Sequence, residues 1–161
     1  MIPVDGPRFD AAEKPTIKPD KAIIYVYRFG QGGETKGGSV NLSVDSRYLF
    51  GVKDTGFTWF YIDPGTRQIR AEWSWHEKPL FEEGNFDPKV LSMPFEAGKT
   101  YYINYKIERD VYPTSYNEQF FGLAGKALSK SHIIAVQLIS EDEATGLRSL
   151  RWCKYQTNEF K

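Results

Sequence analysis

The sequence predicts a mainly β protein, an antiparallel β-sandwich of about seven or eight strands with a short C-terminal helix. Three observations carry that prediction. Phe57 to Trp75, FTWFYIDPGTRQIRAEWSW, reads as a hairpin of two β segments joined through Asp63-Pro64-Gly65, with Ile69, Ala71, Trp73 and Trp75 alternating in the second. That alternation is the period of a half-buried strand. Aromatic residues make up 16% of the chain, and Phe, Tyr and Trp suit a pleated surface better than a helix. Short β-type runs also recur at regular spacing with turn residues between them, as in a sandwich.

The elements follow in chain order. Residues 1–20 carry Pro3, Pro7, Pro15 and Pro19, which interrupt regular structure and predict a flexible N-terminal spacer before a domain at 21–161. Lys21 to Arg28, KAIIYVYR, sets Ile23, Tyr25 and Tyr27 against Ile24 and Val26; apolar side chains on both faces predict an interior strand. Gly30 to Gly38 is a connector. Ser39 to Val44 alternates Val40, Leu42 and Val44, and a turn at Asp45-Ser46 leads into Arg47 to Val52. After the Phe57 to Trp75 pair comes a polar excursion, HEKPLFEEGNFDP. Val90 to Phe95 then reads as a short edge strand, because Pro94 cannot donate to a ladder. Thr100 to Glu108 places Tyr101, Ile103, Tyr105 and Ile107 on one face, and Ile133 to Ile139 is the last strand. Between them, Arg109 to His132 is longer than an ordinary connection. Ser140 and Glu143 have capping-box spacing, which predicts a helix from Glu141 to about Cys153; Gly146 weakens it by roughly 1 kcal/mol relative to Ala.

Composition narrows the classes of function. A chain of 161 residues suits one domain with a sizeable core. Lys plus Arg balance Asp plus Glu at 21 each, which argues against a nucleic-acid binder, whose footprint is a basic excess. Cys153 is the only cysteine, so no intramolecular disulfide forms. No apolar run approaches the ~18 residues of a membrane-spanning helix.

Each candidate for chemistry has a plainer structural account. The glycines at 30–38 lack the order of a phosphate loop, since Lys36 runs into Gly-Gly-Ser and a strand rather than a helix. His76, His132 and Cys153 show no metal or nucleophile spacing, and a lone cysteine in an amphipathic helix is usually a small apolar filler. Glu141, Asp142 and Glu143 complement a helix N-terminus. Glu72, Glu77, Glu82, Glu83 and Asp87 would form a glycosidase pair only at the right separation in space. The sharpest candidate is a ligand platform of Trp59, Tyr61, Trp73 and Trp75 on adjacent strands. Exposed, it would stack on sugar rings or anchor a partner protein; buried, it is core. No catalytic residue, cofactor or metal is predicted.

KAIIYVYR, SVNLSVDSRYLFGV, FYIDPGTRQIRAEW and FEAGKTYYINYKIE, taken in that order over Lys21 to Ile139, resemble a bacterial lipoprotein-type domain of unknown function (DUF2846-like). The resemblance implies a small β-sandwich similar to PEGA-type modules, with residues 1–20 as the spacer that follows a lipid-carrying cysteine. No such cysteine lies in this chain. The family implies no catalytic residues. Its members point to the bacterial periplasm or an outer-membrane anchor, with an envelope protein or cell-wall glycan as partner. The expected function is therefore a non-enzymatic, envelope-associated binding or structural module used in protein–protein interaction. A carbohydrate-binding module using the aromatic platform is the alternative, and a small hydrolase the weaker one.

Overall fold

A computed structural model describes residues 4–29, 39–74, 86–112 and 130–158; at 109–112 and 130–134 it describes the backbone alone. The strands are β1 Ala22–Tyr27, β2 Ser39–Val44, β3 Arg47–Lys53, β4 Gly56–Ile62, β5 Gly65–Trp73, β6 Lys89–Phe95, β7 Thr100–Tyr112, β8 Lys130–Glu141 and β9 Lys154–Tyr155. One helix, α1, spans Glu143–Leu150. The strands form a five-stranded sheet in the order β8-β7-β1-β4-β9 and a four-stranded sheet in the order β3-β2-β5-β6. The expectation of purely antiparallel pairing is corrected in the larger sheet, where β1 runs parallel to β7 and β4 parallel to β9. Among the described residues no helix is long and apolar enough to cross a membrane.

β1 sits in the middle of its sheet with all six residues buried. Ile24 and Val26 enter a hydrophobic cluster that draws on both sheets, including Leu42, Ile69 and Trp73 from the smaller one. Rings meet across that cluster, Phe50 against Phe60 and Trp73 against Tyr105, with centroids 5.6 and 6.4 Å apart. Ile23, Tyr25 and Tyr27 point the other way into a second cluster. The two-faced apolar pattern of β1 thus has a cause: its sheet is covered on both sides.

The turn at Asp45-Ser46 is a tight one, with φ of 46° and 68°, the left-handed pair that matches strand twist. The Asp63-Pro64-Gly65 turn is different. β4 pairs with β1 along its length and with β9 at Gly56 and Phe57, whereas β5 joins β2 and β6 in the other sheet. The expected hairpin is therefore an arch between sheets. Gly65, at φ 115°, takes the sharp bend that a side chain would strain.

Residues 4–20, expected as a spacer, lie along the outer face of the larger sheet. Phe9 and Ala12 are buried on the outer face of the larger sheet, and Phe9 meets Tyr25 and Phe57 edge-on. The Trp59 indole donates to the Glu13 carbonyl at 3.2 Å and the Tyr61 hydroxyl to the Thr16 carbonyl at 2.7 Å. Prolines that exclude helix are compatible with an extended strap of this kind. α1 also covers this face. Its cap is Asp142, which accepts from Thr145 N–H at 3.0 Å, rather than the expected Ser140. Ser140 and Glu141 stay extended because β8 pairs them with Ile103 and Tyr102. Gly146 allows the close approach: a Cβ there would lie 2.5 Å from Tyr102 Cγ.

The long segment expected at 109–132 begins and ends as strand, since β7 and β8 remain paired out to Tyr112 and Lys130; residues 113–129 lie outside the described residues. The 30–38 connector and residues 76–85 of the polar excursion, with His76, Glu77, Glu82 and Glu83, also lie outside them.

Candidate functional site

Two polar constellations are built into the larger sheet. In the first, the Glu141 carboxylate at the end of β8 accepts hydrogen bonds from three elements. Tyr27 OH of β1 and Ser149 Oγ of α1 donate to its Oε2, the latter at 3.5 Å, and Asn104 Nδ2 of β7 donates to Oε1 at 3.1 Å. The Asn104 amide oxygen in turn accepts from Phe29 N–H at 3.2 Å. Tyr27 and Asn104 are buried, and such groups require partners. Burial first, and then the bond to Glu141, push the Tyr27 phenol well above its ordinary pKa. The network ties α1 to three adjacent strands.

Beside it, Lys99, Thr100, Tyr101, Tyr102, Glu141, Asp142 and Glu143 line a shallow cleft of about 410 Å³, within the size range of small-ligand sites. Its rim is largely engaged. Lys99 Nζ pairs with Glu96 at 2.7 Å, Tyr101 OH accepts from Glu96 N–H at 2.9 Å, and Asp142 caps the helix. The Asp142 carboxyl is held below the usual carboxylate range, first by the Thr145 hydroxyl and then by its backbone N–H.

The second constellation was not legible as a site. Arg28, directly after β1, is 1% exposed. Its guanidinium lies 4.4 Å from the centre of the Trp73 ring and its Nε is 3.8 Å from Asp54 Oδ1. A buried cation needs such partners. The signal was present: a charged residue continuing the line of an entirely buried strand stays inside unless the chain turns at once.

Among the described residues the members of the predicted platform are divided between the two sheets. Trp59 and Tyr61 share the outer face of β4 and meet edge-on at 5.6 Å, beneath the strap of residues 4–20. Trp73 lies in the other sheet and faces the central core, 1% exposed; Trp75 is outside the described residues. β4 and β5 are not neighbours, so their aromatics cannot form one surface.

Cys153 is buried with its thiol 3.6 Å from the Ser149 carbonyl. Burial, with the charges of Asp54 and Glu141 adding, pushes it up to about 12. His132 is in β8, where only the backbone is described. Glu72 pairs with Arg70 at 3.3 Å and Asp87 is exposed. Among the described residues no three His, Cys, Asp or Glu side chains come together as a metal site.

No curated protein matches the chain. A family model described as a protein of unknown function, DUF2846, matches residues 18–118, from the strap before β1 to beyond the end of β7. That span is well over half of the chain and holds the interior strand, the tight turn, the arch and the Gly-Lys turn before β7. The chain belongs to the DUF2846 family.

Proposed function

We propose that this domain is a non-catalytic β-sandwich of the bacterial envelope that binds a partner protein through the outer face of its four-stranded sheet. The observation that carries this proposal is the inequality of the two outer faces. The larger sheet is covered by the strap and by α1. On the smaller sheet, one cross-strand row runs Tyr48, Ser43, Arg70, Val90, and Tyr48 and Val90 are 57% and 49% exposed. An exposed aromatic, an arginine and an aliphatic residue in line have the composition of a protein-interface centre. What supports a non-catalytic role is that the two groups best suited to chemistry have structural work. Cys153 is a buried thiol whose pKa is pushed up, and Glu141 accepts from Ser149 of α1 as well as from Tyr27 and Asn104. The envelope location is supported by the resemblance of the strand segments to a lipoprotein-type domain.

Photo-crosslinking residues placed at Tyr48 and Val90, with Ala97 in an exposed turn as the control, test the proposal in cells that express the protein. One discrete protein adduct from positions 48 and 90, absent from 97, is the expected result. No adduct, equal labelling from all three positions, or adducts with glycan alone would overturn it.

A further inference from the structure

We infer that the turn following α1 is a docking point for an anionic lipid surface. Trp152 is 66% exposed. Arg151 N–H bonds the Leu147 carbonyl at 3.3 Å and Trp152 N–H the Ser149 carbonyl at 3.1 Å. The helical path therefore continues past α1 and sets Arg148, Arg151 and Trp152 on one face at i, i+3 and i+4. Lys154 follows, and its backbone bridges Arg8 of the strap. Lys53 is held beside them, its N–H donating to the Gln156 side chain at 3.1 Å.

What separates this corner from the rest of the surface is the state of its cations. The other described Lys and Arg side chains are each engaged, in an ion pair, over an aromatic ring, or in another contact. Among the described residues, Arg8, Lys53, Arg148, Arg151 and Lys154 have no such side-chain partner. Of the acids close by in sequence or space, Asp54 is paired with Arg28 and Glu141 accepts from Tyr27, Asn104 and Ser149, while Asp5 and Asp10 are exposed. The helix dipole accounts for Arg148 and Arg151 near a C-terminus. It does not account for Arg8, Lys53 and Lys154, nor for the exposed indole of Trp152.

An indole at headgroup depth, flanked by long cationic side chains whose stems lie along the apolar boundary, is how proteins meet a membrane surface. Among the described residues the basic side chains of this corner come from a single turn and its immediate neighbours, not from an extended groove that would track a nucleic acid. α1 packs on the outer face of the larger sheet and β9 is that sheet's edge strand, whereas Tyr48 belongs to the smaller sheet. The inference concerns a separate surface and holds whether or not that face binds a protein.

Flotation of the purified chain with vesicles tests it, using phosphatidylcholine alone against equal parts phosphatidylcholine and phosphatidylglycerol. Binding is expected to the anionic vesicles only, and to fall at high salt. Each basic residue near an anionic surface is worth roughly fivefold. The Arg148→Gln/Arg151→Gln pair should therefore weaken binding roughly twentyfold with an unchanged melting temperature, and Arg8→Gln/Lys154→Gln should do so independently. Quenching by brominated lipid should disappear in Trp152→Phe. Equal binding to neutral vesicles, no binding, unaffected variants, or capture of polyphosphate or oligonucleotide without vesicles would each overturn it.

Discussion

Gly146 shows how one hydrogen atom sets the distance between a helix and a sheet. Glycine costs a helix interior about 1 kcal/mol relative to alanine, so propensity alone recommends Gly146→Ala. The packing says the opposite, because the added methyl would fall 2.5 Å from the Tyr102 ring carbon in a buried seam that cannot give freely. Gly146→Ala is expected to destabilise the domain by about 1–3 kcal/mol, read as a lower urea midpoint. A gain in stability would mean that α1 stands further from the sheet. Cys153 behaves as packing rather than as a nucleophile. Its thiol should resist alkylation at pH 8 until the protein unfolds. The unfolded thiol ionises near its ordinary value of about 8.5, whereas the folded one stays protonated up to about 12. The folded state therefore binds more protons across that window, and stability falls as pH rises through it. Alkylation as fast as that of a free thiol would contradict the burial. Trp73 has a third kind of role, since it walls the central core and carries the Arg28 guanidinium on its face. Trp73→Ala should cost about 3–5 kcal/mol by thermal or chemical melting; an unchanged melt would place the indole at the surface.

Elements were legible where a periodicity encodes burial. β1 announced two apolar faces, and both are covered; β7 announced Ile103, Tyr105 and Ile107, and all three reach the central cluster. Elements were misread where the deciding contact is distant in sequence. Asp63-Pro64-Gly65 specifies a bend, but the sheet that β5 joins is set by its pairing with β2 and β6, which lie away from it in sequence. The helix start was degenerate in the same way. Ser140 and Asp142 both have capping chemistry, and the ladder to β7 keeps Ser140 in the strand. Asp142→Ala should thus lower stability by about 1 kcal/mol, and Ser140→Ala by much less. The carboxyls of Asp45, Asp63 and Asp142 all sit below their ordinary range, through the Gln68 N–H, the Lys21 ammonium and the Thr145 hydroxyl respectively. Their contribution is intact above the unfolded value of about 3.9. It is lost as pH falls through the lower folded values. Acid melts of Asp142→Ala should therefore converge on those of the wild type as pH falls below the lowered value of that carboxyl; a difference that persists there would assign the loss to something other than the cap.

The fold as a whole has two cores of unequal origin. One lies between the sheets and follows from strand alternation. The other lies on the outside of the larger sheet and is completed by residues 4–20, α1 and β9. Sequence reasoning found the first because alternation repeats over many residues. It missed the second because Phe9 and Ala12 are isolated apolar residues in a proline-rich stretch, and an extended strap leaves no period to detect. The same blind spot hid the fate of Trp59 and Tyr61, whose strand was read correctly and whose cover was not. Among the described residues this asymmetry leaves the four-stranded sheet as the open face, and the functional proposal depends on it. Phe9→Ala tests it most directly, with the melting curve and binding of a hydrophobic dye measured together. A loss of about 3 kcal/mol, with dye binding as the outer core opens, is the predicted result. An unchanged melt with no dye bound would mean that the strap does not close this face, and that the two sides of the domain are alike.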